Sequence, residues 1–393
     1  MKLSFIAEKA GIEKYPEAMD TFFENFSVPE GPACDLELVD KLQEGYELFG
    51  DFYELTRAIG IELNNDEYRS LWVKIATAYC MRGGVDEMKV VPVPNKDGRV
   101  ISSMLPLYIH IPMIPLAIAE YRQRGFSEEE ITRLMRAYRG TIRTVKNYTG
   151  LPGLDKTYHW WMTIYTKARL YQTEGLQYQL SAFPSNVLYL KNKQTGEILP
   201  ILVKGTVHRT GENLLGSQYF KDEEGAFEVT FSEDDEKFVG HGVVDNLIDT
   251  QARVYSKTEW ESFARPGDPC LNIHIPRGAD LSSEALDRTF AAGIKIARER
   301  YGDLGAKHIM CASWLLDPKL KEFLGDTSKI TGFQERFVRY PMKSNGDAVF
   351  GFVFPKNYGS LEALPENTSL ERKLKKHYLE GNCIHVYAGI LKL

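Results

Sequence analysis

Cysteine is scarce and scattered. The five cysteines, Cys34, Cys80, Cys270, Cys311 and Cys383, never fall in a Cys-x-x-Cys spacing. That argues against a zinc knuckle and a disulfide scaffold, fits a reducing cytoplasm, and leaves no metal site to expect. A basic surplus is also missing. The chain carries 48 lysines and arginines against 54 aspartates and glutamates, a net charge of −6, so no nucleic-acid partner is expected. No internal repeat or low-complexity tract is visible, which excludes a repeat architecture. The opening residues 1–9 are charged too early for a secretory signal, and the expected location is cytoplasmic. No charged residue occurs between Arg99 and Glu120, nearly the length of a membrane span. However, that stretch holds Ser102, Ser103, His110, Pro106, Pro112 and Pro115. It reads as a buried, proline-interrupted helix, with no membrane partner expected.

What is present suits a globular chain of two domains. Hydrophobic residues make up 43% of the 393, enough for ordinary cores. Residues 1–172 carry helical periodicity, with expected helices over 16–26, 36–59, from a cap at Asn64 or Asn65 to 81, over 131–148, and from 155 to beyond Leu170. Ser127-Glu128-Glu129-Glu130 is a capping box. A connection is expected over 90–95. Trp160 and Trp161 read as core. After Gly175 the pattern alternates with period two. Residues 187–190 and 198–203 flank the hairpin turn Asn192–Glu197, and 227–231 and 238–244 flank an acidic turn. Later, 333–340 and 348–354 read as a strand pair, 369–380 as a charged helix and 385–391 as a last strand. The expected class is a two-domain α+β chain, all-α over 1–172 and a mixed α/β sheet over 173–393.

The centre of the second domain is the stretch from Gly267 to Pro318. Residues 270–275 form a short β-rich run, broken by Pro276-Arg277-Gly278. Ser282 suits an N-cap, with Leu281 and Leu286 as a hydrophobic staple. Leu286, Phe290, Ile294, Ala297 and Tyr301 follow at helical spacing. Residues 308–312 form a second apolar strand, then Ser313-Trp314 and Asp317-Pro318. Such a unit implies two parallel strands joined by a right-handed crossover, and sheets of this type hold ligands beyond the carboxyl ends of their strands. Those ends carry His274, the Pro276–Gly278 loop and Ser313-Trp314.

Particular segments carry a resemblance: Tyr171 to Tyr178, a helix exit ending in Gly175-Leu176-Gln177-Tyr178, Trp260 with Pro266-Gly267-Asp268, Ile273-His274-Ile275-Pro276 with Gly278, and residues 311–318. In these, and in element order, the chain resembles bacterial two-domain N-acyltransferases with a helical N-terminal domain and a GNAT-like C-terminal domain. The resemblance implies an enzyme that moves an acyl group from a thioester, acyl-CoA or similar, to a small-molecule amine. The donor is a co-substrate rather than a tightly bound cofactor. It also implies a donor slot between the two parallel strands, with the donor's polar end at Pro276, Arg277, Gly278 and Ser282, and Trp314 walling the slot. The loop departs from the usual GNAT phosphate signature, because Arg277-Gly278-Ala279-Asp280 offers one glycine and an acidic residue. A shorter donor or a carrier-protein thioester therefore stays open.

An amine attacking a thioester must lose a proton, and the leaving thiolate gains one. His274 is the candidate base, since an unperturbed imidazole titrates near neutrality; a core histidine is the alternative. Ser313 is a candidate donor to the thiolate or oxyanion, or else a turn serine. Cys311 reads as a buried, inert thiol. The basic group Arg372-Lys373-Lys375-Lys376-His377 reads as a solvated helix face. A catalytically degenerate GNAT-like protein that only binds a ligand or partner is the rival. A hydrolase triad of His274, Ser313 and Asp268 or Asp317 ranks last, because no nucleophile elbow surrounds Ser313.

Overall fold

The computed structural model describes residues 1–82, 97–213, 224–354 and 358–392. The chain divides into two compact units, Met1–Tyr171 and Gln172–Leu393. The expected connection over 90–95 lies outside the described residues.

Among the described residues, the first unit is mainly helical as far as Thr166. The 36–59 segment breaks after Tyr46 because Glu47 turns into the left-handed region and Leu48 and Phe49 are buried. The Gln43 amide oxygen accepts the Phe49 and Gly50 N–H groups at 3.1 and 3.2 Å, and a new helix starts at Tyr53. Asp66, not Asn64 or Asn65, caps the next helix by accepting the Arg69 N–H. The 131–148 segment is two helices, Glu128–Met135 with the expected capping box and Ala137–Thr149. The last helix stops at Thr166, and residues Leu170–Gln172 are already strand. Trp160 is half exposed, so it is not core. The charge-poor stretch is the buried, interrupted helix the prolines imply. Val100–His110 contains Pro106 in its interior, a short 3₁₀ turn follows, and Ile114–Gln123 completes it. The described helices include one segment long and apolar enough to cross a membrane, Val100–Gln123, and most of it is buried within the protein. Its His110 meets His159 at 3.0 Å, with both rings fully buried.

The second unit is built on a six-stranded sheet. Its spatial order is Leu170–Gln172, Gln177–Ala182, Pro269–His274, His308–Ser313, Tyr387–Leu391 and Phe337–Pro341. Pro269–His274 and His308–Ser313 run parallel, joined by the helix Ser283–Arg300 as their spacing requires. A seven-stranded sheet, which contains the expected hairpin of Val187–Asn192 with Ile198–Leu202, covers one face of the first. Phe183, Val187, Tyr189 and Leu202 meet Cys270, Met310, Tyr340 and Ile390 in one apolar cluster.

Two expected strand pairs are corrected. Residues 333–335 belong to the helix Lys329–Glu335, which Ser328 caps by accepting the Ile330 N–H. The strand is therefore only Phe337–Pro341, paired with Tyr387–Leu391. Residues 348–354 form turns, and Val349, Phe350 and Phe354 pack with Leu374 and Tyr378. The apolar run that imitates a strand is a core plug. Phe227–Glu228 pairs with Thr206–Val207 rather than across the acidic turn, and Ser232–Glu233 takes the place beside Phe238 and Val239.

Helix Ser283–Arg300 lies on the other face of the six-stranded sheet. Its seat is Gly293, where an added Cβ would stand 2.4 Å from the Tyr178 ring. The Tyr178 hydroxyl donates to the Thr289 carbonyl at 2.6 Å. Gly293→Ala gains about 1 kcal/mol of helix propensity, but overpacking costs roughly 1–3 kcal/mol, and at so short a contact the clash prevails. Calorimetry should show a melting temperature lowered by about 2–10 °C. An unchanged value would mean that helix and sheet are not in close contact there.

Candidate functional site

The two parallel strands are paired from Cys270 opposite His308 to Ile273 opposite Cys311. Beyond that point each pairs only outward. His274 lies opposite Gln177, and Ala312 and Ser313 lie opposite Ala388 and Tyr387. The sheet thus opens at the carboxyl ends of its parallel strands, where ligands of open α/β sheets bind. Ala312 is exposed although it sits in an interior strand, while its partner Ala388 is fully buried.

Strand alternation decides which side chains meet at the opening. Cys270, Asn272 and His274 share the face turned to the second sheet. Cys270 is packed there, whereas Asn272 and His274 are half-buried. Across the antiparallel neighbour, Gln179 lies opposite Asn272 and Gln177 opposite His274. His274 Nε2 stands 2.8 Å from Gln179 Oε1. An amide oxygen only accepts, so Nε2 carries the proton and Nδ1 the lone pair. Burial lowers the His274 pKa to about 4. The expectation of a base titrating near neutrality is therefore corrected: the ring is already neutral well below pH 7. Sequence reasoning missed Gln179, whose role depends on a strand pairing that no local pattern announces.

Ser313 points to the opposite face from His274, and the two do not form one constellation. Its Oγ accepts the Leu315 N–H at 3.1 Å, the turn-serine alternative. Trp314 is buried among Leu320, Phe350, Leu374 and Tyr378, so it fills a core instead of walling the opening. The triad does not assemble. Asp317 accepts the N–H groups of Lys319 and His385 at 2.9 and 2.7 Å, and Asp268 accepts the Arg265 N–H. Cys311 is buried, and desolvation pushes its thiol well up, which agrees with an inert side chain. In the basic helix group, Lys375 pairs with Glu366 and Arg372 donates to the Glu366 carbonyl.

The loop residues do come together. The Pro276 carbonyl accepts the Ala279 N–H at 3.1 Å. Gly278 closes the turn at φ +82°, a conformation that glycine adopts without strain. Arg277 is exposed and donates to the Phe352 carbonyl at 3.0 Å. Ser282 is the N-cap position, but its hydroxyl does not cap the helix. Instead its N–H and Oγ donate to the two carboxylate oxygens of Asp280, at 3.0 and 2.9 Å. Lys329 Nζ lies 2.8 Å from Asp280, and this contact is the largest cause that lowers the Asp280 pKa to about 2. Arg336 donates to Asp287 and to Ser283 Oγ at 2.6 and 2.5 Å. A helix N-terminus favours anions, and here an internal carboxylate and two cations already stand around it. Lys329 and Arg336 are distant in sequence, so nothing local pointed to them.

The architecture is that of a helical unit followed by a GNAT-like mixed sheet. The chain belongs to the family described as GNAT-like C-terminal domain, which matches residues 170–391. Among solved structures, the chain is similar to an acyltransferase in complex with decanoyl-CoA and teicoplanin, at 17% identity and a TM-score of 0.65 with 100% of both chains covered. It is likewise similar to a mutant acyltransferase in complex with octanoyl-CoA, at 17% identity and a TM-score of 0.66, again with 100% of both chains covered. No curated protein sequence matches it.

The lowered His274 pKa has a consequence for stability. Above pH 6.5 neither folded nor unfolded chain binds this proton. Between about 6.5 and 4 only the unfolded chain does, so stability falls as the pH is lowered through that window. His159 and His385, lowered to about 3 and 4 by burial, act in the same direction. Denaturant midpoints at pH 7.5 and 5 should therefore differ less in His274→Gln than in the wild type. An equal drop would show that the His274 ring is not desolvated.

Proposed function

We propose that this protein transfers an acyl group from a thioester of the acyl-CoA class to an amine. The observation that carries the reading is the opening of the sheet after the Ile273–Cys311 pair, beside a neutral imidazole. In this reading the acyl arm of the donor enters between the parted strands. The amine attacks the thioester carbonyl, a C–N bond forms, the C–S bond breaks, and the thiol leaves. His274 accepts the amine proton, directly or through one water. Burial favours its base form, and Gln179 holds its tautomer. The polar end of the donor lies at residues 276–283, with Lys329 and Arg336 as its cations, once Asp280 has moved from the Ser282 amide. That the similar structures are acyltransferases with decanoyl-CoA, octanoyl-CoA and teicoplanin supports medium-chain donors as first probes.

The test is thiol release from decanoyl-CoA with and without an amine. A general base contributes about 10²–10⁴-fold. His274→Gln should lose rate on that scale while keeping the fold and the donor affinity. The acid limb of the wild-type profile should have its midpoint near pH 4. A variant with full activity would remove His274 from the chemistry.

A second reading, a binding protein without turnover, is favoured by Asp280 seated where a phosphate would bind. One variant weighs both. If CoA phosphates use this helix end, Asp280→Asn removes a like charge and tightens CoA binding by roughly 2- to 10-fold, as calorimetric titration would show. Unchanged affinity would put the phosphates elsewhere. Neither heat nor thiol release with any thioester would favour the binding protein.

A further inference from the structure

We infer that the Asn272 side chain recognises a secondary amide of a substrate. This rests on the acyl-transfer reading above and names what the opening binds. Asn272 stands two residues before His274 on the same strand face, about 7 Å away along the strand. Its amide oxygen is buried and accepts no hydrogen bond among the described residues. The amide directly opposite, Gln179, turns its oxygen to His274, and its NH2 group does not donate to Asn272 Oδ1. The preceding residue on this face is the apolar Cys270, and the partner of Asn272 on the parallel strand is Met310.

A buried carbonyl without a donor lowers stability, and an apolar side chain of the same size would avoid that cost. Among the described residues, therefore, nothing rewards the asparagine oxygen at this position. A ligand entering the opening beside His274 does. A secondary amide carries one N–H and one C=O in a plane, so it complements a carboxamide in either orientation. Two reactants can supply such a group. The pantetheine arm of a CoA-type donor has an amide two carbons from its sulfur, and a peptide-like amine acceptor has backbone amides. Asn272 then sets the depth at which that reactant sits relative to His274.

The experiment compares reactants with and without the amide in the wild type and in Asn272→Leu. The donor pair is S-octanoyl-N-acetylcysteamine against S-octanoyl butanethiol. The acceptor pair is an amino-acid methylamide against its methyl ester. In the wild type the amide-bearing member of one pair should be preferred in kcat/KM by about 3- to 10-fold, and the variant should lose that preference. The pair that responds identifies the source. Ratios in both pairs that survive the substitution overturn the inference. So does a melting temperature several degrees lower in Asn272→Leu, because a buried amide oxygen with no donor among the described residues predicts an unchanged or higher value. Absence of turnover by the wild type overturns the acyl-transfer reading instead. The same pairs are then compared by dissociation constant, and equal ratios in wild type and variant overturn the Asn272 assignment separately.

Discussion

Four residue pairs between two parallel strands govern the second unit: Cys270 to Ile273 against His308 to Cys311. Their direction requires the crossover helix, which closes one face of the sheet and leaves the other to the seven-stranded sheet. Their register sets the face of every side chain near the opening. A slip of one residue would exchange His274 with Ile273 and turn the polar group of Gln179, Asn272 and His274 into the helix interface. The point where the pairing ends matters as much as the pairing itself. Each strand then follows its outer neighbour, and the opening forms without a break in either strand's own ladder.

The two sides of this opening differ in how firmly they are held. After Ser313 the chain is tied by buried groups. Asp317 accepts two backbone N–H groups, one from the segment leading into the inserted strand. Burial raises its pKa to about 6. Gln334 donates to the Leu315 and Asp317 carbonyls, and Arg339 donates to the Leu316 carbonyl. Buried bonds of this kind are costly to break. After His274 the loop is held by Asp280, Lys329 and Arg336 near the surface, where ion pairs are worth little and exchange readily with a competing anion. In the proposed reading, a firmly held wall facing an exchangeable one suits a site that admits and releases a charged reactant.

Loss of water keeps several imidazoles neutral in both units, as with His274, His385 and the His110–His159 pair. The charge-poor segment of the helical unit shows the same logic. Its serines, prolines and histidine sit in a protein interior, where neighbouring side chains can meet some of their hydrogen-bonding needs.

Much of the fold was legible from periodicity alone. The change from helical to alternating spacing at Gly175, the Ser127–Glu130 capping box and the strand–helix–strand unit around Ser283–Arg300 are local patterns. Local sterics and hydrogen bonding produce them, so the sequence by itself determined them. The loop at Pro276–Gly278 was legible for the same reason, since proline and glycine limit the backbone wherever they stand. What the sequence could not show depends on partners far along the chain. The apolar run 348–354 looks like a strand, and only packing against Leu374 and Tyr378 makes it a plug. His274 looks like a base with an ordinary pKa, and only desolvation and Gln179 make it a neutral ring with a set tautomer. Ser313 and His274 look like one site, and only the strand register puts them on opposite faces. Lys329 and Arg336 reach the helix end through a sheet order that inserts the last strand before the one preceding it. Burial, register and long-range charge are properties of the assembled chain, and the tertiary structure alone decided them.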